Sequence, residues 1–276
     1  MPASSLKTEL TRRLRIGERL TQLSPRRYSL HGWWSPDKNW PLPNGAAVIE
    51  AKRGYRHGPE NVTLAWALQK RKAQHVIDFG SGSGSLTLMA AYLLRPETLV
   101  SLELQSEMCE RLRRTLNAFM QIDASSVECI SIVEGDLRDS DTLTQVSTLL
   151  PDRADAIIFN PPFFPCGWGR QSSTDEVHRS THSLYGDVTD FLKASRLLLS
   201  EDGWVCILYD ALRLHDLLPA LALTGFTLQE IRYTPDHRPN KREVPFRVWC
   251  FCGLQDGAKV YGLESSASIA SHDDAR

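Results

Sequence analysis

No two cysteines in this sequence stand at Cys-x-x-Cys spacing; the six (Cys109, Cys129, Cys166, Cys206, Cys250 and Cys252) are scattered. Metal-ligand spacing is therefore absent, and a disulfide framework is not expected in a chain of 276 residues. The thiols read as reduced, which points to a cytoplasmic protein with no bound metal. Also lacking is any uninterrupted apolar run near the roughly 18 residues that cross a bilayer. The opening stretch, MPASSLKTELTRRLRIGERL, has no apolar core of a secretory signal, so no membrane partner is expected. An excess of one charge is missing too: 32 Lys and Arg stand against 33 Asp and Glu, a net charge of −1. A nucleic-acid partner must then be met by local basic patches rather than by the whole surface. Internal repeats are absent; a monomer is the expectation, although the sequence does not fix the oligomeric state.

What is present suits one sizeable core: 42% of the residues are hydrophobic and 24% charged. One basic patch lies at the start, where Lys7, Arg12, Arg13, Arg15, Arg19, Arg26 and Arg27 face only Glu9 and Glu18. Leu6, Leu10, Leu14, Ile16 and Leu20 fall near helical spacing, which predicts a basic amphipathic helix over 5–23. Residues 24–60 change character, with five prolines (Pro25, Pro36, Pro41, Pro43, Pro59) among Trp33, Trp34 and Trp40. The expected organisation is an N-terminal basic helix and Trp/Pro-rich arm over 1–49, an α/β domain over 50–255, and a small, polar, disordered tail over 256–276.

From residue 75 the pattern becomes regular. Short β-branched or apolar runs at 75–80, 99–104, 129–136, 154–160 and 203–210 predict strands. Helical stretches are expected near 85–95, 106–121, 141–150, 187–200 and 211–224. Strands alternating with helices imply a mostly parallel sheet covered on both faces. FTLQEIRY (226–233) and FRVWCFCG (246–253) follow one another without a helix and read as an antiparallel hairpin at the sheet edge. The expectation is an α/β, Rossmann-like fold with a seven-stranded, mostly parallel sheet and a C-terminal antiparallel hairpin.

Asp78-Phe79-Gly80-Ser81-Gly82-Ser83-Gly84 leaves the first of these strands and enters a helix. Gly80, Gly82 and Gly84 let the backbone turn sharply and approach a ligand closely, at the strand end where open α/β sheets bind ligands. A dinucleotide fingerprint needs a last glycine at position 85, which is Ser85. Glu103, ending the second strand, is placed to hold ribose hydroxyls. At the end of the third strand Gly135-Asp136-Leu137 is placed to lie beside the adenine of S-adenosylmethionine, with Asp136 as acceptor for its amino group. Asp78, Glu103 and Asp136 in this series favour S-adenosylmethionine over a nicotinamide cofactor.

Asn160-Pro161-Pro162-Phe163 follows the fourth strand. An amino nitrogen conjugated to a ring or a carbonyl is a poor nucleophile, because its lone pair is delocalised. Two acceptors, the Asn160 side-chain oxygen and the Pro161 carbonyl, can take both its hydrogens and aim the lone pair at a methyl donor. The two prolines stiffen the backbone, so this geometry is set before substrate arrives. Phe163 offers a face on which a flat target stacks.

These motifs resemble the N-methyltransferases that bear [DNS]PP[YFW]. Within that group the chain looks most like the bacterial tRNA1(Val) adenine-N6-methyltransferase family, over roughly residues 50–255. Gly54-Tyr55-Arg56 matches a segment that this family carries near the cofactor, with His57 and Glu60 standing where Phe and Asp are more usual. After Asn160-Pro161-Pro162-Phe163-Phe164, the stretch from Gly167 and Gly169 to Arg179, His182 and Ser183 follows the family only loosely.

The resemblance implies a Rossmann-like class I methyltransferase using S-adenosylmethionine. It implies a cofactor site of Tyr55, Arg56, Asp78, Gly80, Gly82, Gly84, Glu103, Asp136, Leu137 and Asn160, and a reaction centre of Asn160, Pro161, Pro162 and Phe163. The expected substrate is the N6 of an adenine in RNA, with tRNA as partner. Phe163, Phe164 and Trp168 form the stacking pocket, and Arg238, Lys241 and Arg242, within HRPNKREVPFR (237–247), form a phosphate track with Arg247. The alternatives are a glutamine N5-methyltransferase acting on a protein such as a release factor, or an adenine-N6 enzyme for rRNA. A third reading is an RNA-binding module that keeps the fold without turnover.

Overall fold

A computed structural model describes residues 5–24, 40–53, 57–68, 70–161, 187–233 and 247–254. The chain begins with α1 (Leu6–Arg12), β1 (Glu18–Gln22) and β2 (Ala47–Ala51), followed by two short helices, α2 (Pro59–Val62) and α3 (Leu64–Ala67). The alternating part then runs β3 (His75–Phe79), α4 (Ser85–Leu94), β4 (Thr98–Glu103), α5 (Ser106–Met120), β5 (Ile130–Glu134), α6 (Ser140–Thr148) and β6 (Ala154–Phe159). It closes with α7 (Val188–Leu198), β7 (Leu199–Asp210), α8 (Leu214–Thr224), β8 (Phe226–Tyr233) and β9 (Arg247–Leu254).

The main sheet has seven strands in the order β5-β4-β3-β6-β7-β9-β8. The first five are parallel, while β9 runs antiparallel between β7 and β8. This is the α/β arrangement that the alternating runs imply, and its edge hairpin is the one expected from 226–253. Successive residues of the central strands face opposite ways. Val76, Leu99, Ala156, Ile158 and Trp249 join one buried cluster with α4 and α5. Ile77, Val100, Ile157, Phe159 and Val205 join another with α6, α7 and α8. Strands buried on both faces explain why they read as continuous apolar runs rather than alternating ones. In α5, Met108, Cys109, Leu112, Thr115, Leu116 and Phe119 return every three or four residues and are buried, while Glu107, Arg113 and Asn117 remain exposed.

The helix predicted over 5–23 is corrected. It stops at Arg12, and Glu18–Gln22 forms a strand paired antiparallel with Ala47–Ala51. Gly17, at φ +86, turns the chain between them, a conformation that glycine adopts without steric cost. Ile16, counted in the apolar stripe, is fully exposed, whereas Leu6 and Leu10 are buried. Three arginines of this region face carboxylates, Arg12 and Arg13 reaching Glu9 and Arg15 reaching Glu110, while Arg114 of α5 grips Glu18. Arg26 and Arg27 lie outside the described residues, as do Trp33 and Trp34.

Candidate active site

The strand order reverses around β3: β4 and β5 lie to one side, β6 and β7 to the other. At such a switch point the loops leaving neighbouring strands part and open a crevice at the carboxyl ends. The chain leaving β3 is the glycine loop, and the chain leaving β6 begins with Asn160 and Pro161. In-register pairing of Phe79 with Phe159 sets the two exits side by side.

Gly80, Gly82 and Gly84 have φ of +64, +57 and +90, a region closed to most side chains. They do not do the same work. A Cβ at Gly80 would lie 3.4 Å from the Phe191 ring, and one at Gly84 would overlap the Leu112 side chain. At Gly82 an added Cβ meets nothing within 4 Å among the described residues, so the loop there is open on their side. Phe191, on α7, packs against both Phe159 and Phe79, with ring centroids 5.1 and 6.4 Å apart, and supports the loop from below.

Asp78 is fully buried beneath the loop. Thr87 Oγ1 donates to its Oδ2 at 2.6 Å, while Oδ1 has no hydrogen-bond partner among the described residues. Burial pushes its carboxyl up to about 7; the Thr87 hydroxyl opposes that rise, and the nearby Glu103 charge adds to it. Glu103 is almost as buried. Its Oε2 accepts the Gly82 N–H at 2.8 Å and its Oε1 the Gln105 N–H at 2.9 Å, and burial raises this carboxyl against those bonds. Each oxygen keeps a lone pair for a further donor.

Asp136 lies in the turn after β5, which is tied to β4 by the Gly135 N–H to the Glu103 carbonyl. Its carboxylate is held by Arg138, whose backbone N–H and Nε donate to Oδ1 and whose Nη2 donates to Oδ2 at 2.6 Å. Those hydrogen bonds hold it below the usual carboxylate range. Leu137 is buried with Val133 and Leu102. Asn160 is half-buried, and its Nδ2 donates to Asn61 Oδ1 at 3.1 Å; Pro161 is buried.

Two features of this rim escaped the sequence reading. Asn61, 4% exposed, links Asn160 to Ser85 Oγ, to which its Nδ2 donates at 2.8 Å. Glu50 and His57 form a buried pair, the His57 Nδ1 and backbone N both lying within 2.9 Å of Glu50 Oε1. His57 adjoins the Gly54-Tyr55-Arg56 segment but Asn61 and Glu50 belong to no motif, and only the tertiary contacts reveal the two pairings.

Tyr55, Arg56, Pro162, Phe163, Phe164, Cys166, Trp168, His182, Arg238, Lys241 and Arg242 lie outside the described residues. Arg247 is corrected: it is buried, and its Nη1 meets Asp210 Oδ2 at 2.6 Å rather than joining an open track. The chain nevertheless leaves β8 at Tyr233 and re-enters β9 at Arg247, beside Asp210 at the carboxyl end of β7. Tyr233 and Arg247, the described residues that flank the basic stretch, thus lie at the same rim as Gly80 and Asn160. Among the described residues no helix is long and apolar enough to cross a membrane, and no group of side chains is placed to hold a metal ion.

The methyltransferase small domain, as a family model, matches residues 61–211. A relative from Cronobacter sakazakii, named tRNA1(Val) (adenine(37)-N6)-methyltransferase, is 33% identical over 213 residues, which cover 71% of this chain and 77% of that protein. One of the same name from Glaesserella parasuis is 26% identical over 145 residues, 52% of this chain and about half, 54%, of its own length. Among solved structures, TrmN from Thermus thermophilus matches with a TM-score of 0.45 and 24% identity, over 71% of this chain and 49% of that one.

Proposed function

The chain belongs to the methyltransferase small domain family, and from that premise we propose that it transfers a methyl group from S-adenosylmethionine to the N6 of an adenine in a cytoplasmic tRNA. The observation that carries this reading is the pairing of exits at the switch point. The glycine loop leaves β3 beside Asn160 and Pro161, which leave β6. A methyl donor held by one and an amino group held by the other are then neighbours.

The residues present fit that cofactor. Asp78 Oδ1, buried with no partner among the described residues, suits the ammonium of an amino acid. Open space over Gly82 admits close approach of a ligand. Glu103 has lone pairs for ribose hydroxyls, and Leu137 supplies an apolar wall. Asp136 serves the adenine amino group only with lone pairs left by Arg138. When bound, S-adenosylmethionine supplies an electrophilic methyl group on a sulfonium.

The chain's own part is positional. Asn160 Oδ1 and the Pro161 carbonyl accept the two N–H hydrogens of the target and keep its lone pair on the donor's side. Because Asn160 and Pro161 stand at the end of a strand buried in the sheet, the backbone that carries these acceptors is fixed before the encounter. A base of raised strength is unnecessary, since the nitrogen loses its proton to water after transfer. Phe163 and Phe164 give the flat base a stacking surface, and Arg238, Lys241 and Arg242 hold the flanking phosphates. The shared name of the relatives favours tRNA and adenine within this chemistry.

The test is transfer of a labelled methyl group by the purified chain to total tRNA from a strain lacking its gene, followed by mass spectrometry of the nucleosides. N6-methyladenosine that depends on Asn160 is the expected product. Label on a protein glutamine instead overturns the reading in favour of a release-factor type enzyme.

A further inference from the structure

Asn160 can serve as an acceptor only if its amide points the right way. The two ends of an amide have nearly the same shape, and a half-turn about the last torsion exchanges oxygen for NH2. With NH2 toward the substrate, a donor would face a donor and the amino group would be repelled. Pro161 and the strand fix the backbone but leave that torsion free. Something on the far side of the amide must decide it.

We infer that Asn61 is the positioning residue that sets the direction of the Asn160 amide, an inference that rests on the functional reading above. Asn61 Oδ1 lies 3.1 Å from Asn160 Nδ2 and accepts from it. The NH2 of Asn160 is thereby turned toward Asn61, and its oxygen away from it. Asn61 is anchored in turn, with its own Nδ2 donating to Ser85 Oγ at 2.8 Å. Ser85 is the first residue of α4, directly after Gly84. Asn61 and Ser85 are 4% and 5% exposed, so water does not compete for these groups. The segment that carries Asn61 is pinned on its other side, where Trp249 Nε1 donates to Thr63 Oγ1 at 2.8 Å. The acceptor that meets the substrate is thus referenced through two hydrogen bonds to the helix that opens from the cofactor loop. Donor and acceptor subsites share one frame, although they leave different strands.

A conservative variant separates this role from packing. Aspartate at 61 keeps the shape and still accepts from Asn160 Nδ2, whether its other oxygen is ionised or donates to Ser85. Alanine leaves the Asn160 amide without its guide. The experiment is single-turnover methyl transfer to tRNA by the full chain, with S-adenosylmethionine affinity measured by calorimetry and folding by thermal melting. Asn61→Ala is expected to slow transfer about tenfold or more, with the cofactor Kd within about twofold of wild type, whereas Asn61→Asp stays within about threefold in rate. Where Asn61→Ala does not fold, Ser85→Ala replaces it and is expected to slow transfer several-fold at unchanged Kd. A wild-type rate in the variant that folds, equal losses in Asn61→Asp and Asn61→Ala, or a Kd that weakens in step with the rate would each overturn the inference. A wild-type chain that methylates nothing overturns the functional reading and this inference with it; wild-type transfer indifferent to Asn61 overturns this inference alone.

Discussion

Glu103 Oε2 accepts the backbone N–H of Gly82 at 2.8 Å, so the carboxylate ending β4 holds the middle of the glycine loop that follows β3. The loop is therefore shaped by its neighbour strand as well as by its own glycines. Its three positions differ in what surrounds them, and substitution should separate them.

Gly82→Ala puts a methyl group into open space at φ +57. The strain is about 1–2 kcal/mol, yet the methyl group intrudes where a ligand is proposed to lie. Calorimetry should show a cofactor affinity reduced by more than the loss of stability explains. Gly84→Ala, whose Cβ overlaps Leu112 at φ +90, should instead lower the melting temperature sharply and reduce soluble yield. Equal melting temperatures for the two variants would contradict this division.

The buried Asp78 carboxyl, pushed up to about 7 from an ordinary 3.8, predicts a pH signature. An acid whose folded value is raised binds its proton more tightly in the fold. Stability of the cofactor-free chain should therefore fall as pH rises across that window. A cationic ammonium beside Asp78 selects the ionised form, so S-adenosylmethionine affinity should increase about tenfold from pH 6 to pH 8. Glu103, also raised, acts in the same direction. Asp78→Asn should abolish most of the slope in a calorimetric titration series.

Removing the proposed acceptor should affect the chemical step. Asn160→Ala is expected to lower kcat about 100-fold or more, with the cofactor Kd little changed, as read by single-turnover transfer and calorimetry. A loss confined to KM would mean that Asn160 only helps hold the substrate.

Arg238, Lys241 and Arg242 are proposed phosphate contacts, which make a specific claim about salt. Each change to alanine should reduce the slope of log K for tRNA against log salt concentration by about 1. Measurement by fluorescence anisotropy across a salt series checks it; unchanged slopes in all three variants would remove this loop from the interface.

Arg114 grips Glu18 with two guanidinium nitrogens, which fastens β1 to α5. Burial raises the Glu18 carboxyl, but hydrogen bonds from Arg114 and the Arg15 N–H outweigh that, so it lies below its ordinary 4.5. A lowered acid contributes stability above its unfolded value and loses it as pH falls through the folded one. Arg114→Ala should cost about 2 kcal/mol in denaturant unfolding at pH 7, with the difference from wild type shrinking toward pH 3.

The sequence by itself determined the central strands, the glycine loop and the Asn160 motif. Each is a local matter: β-branched runs suit a sheet buried on both faces, positive φ favours glycine, and a proline pair stiffens a turn wherever it lies. It misjudged residues 13–23, where leucine spacing continues a helical pattern beyond Arg12. There, pairing of Glu18–Gln22 with the distant Ala47–Ala51 and the turn at Gly17 outweigh local propensity. Arg247 looked like part of a basic loop until the antiparallel register brought it to Asp210. Only the tertiary structure decided that the glycine loop, Asn160 and the ends of the basic 234–246 segment share one rim. Strand order is fixed by packing between residues far apart in the chain, and no spacing within the sequence encodes it. The same holds for Asn61, an unremarked residue on a one-turn helix until the fold sets it between Ser85 and Asn160.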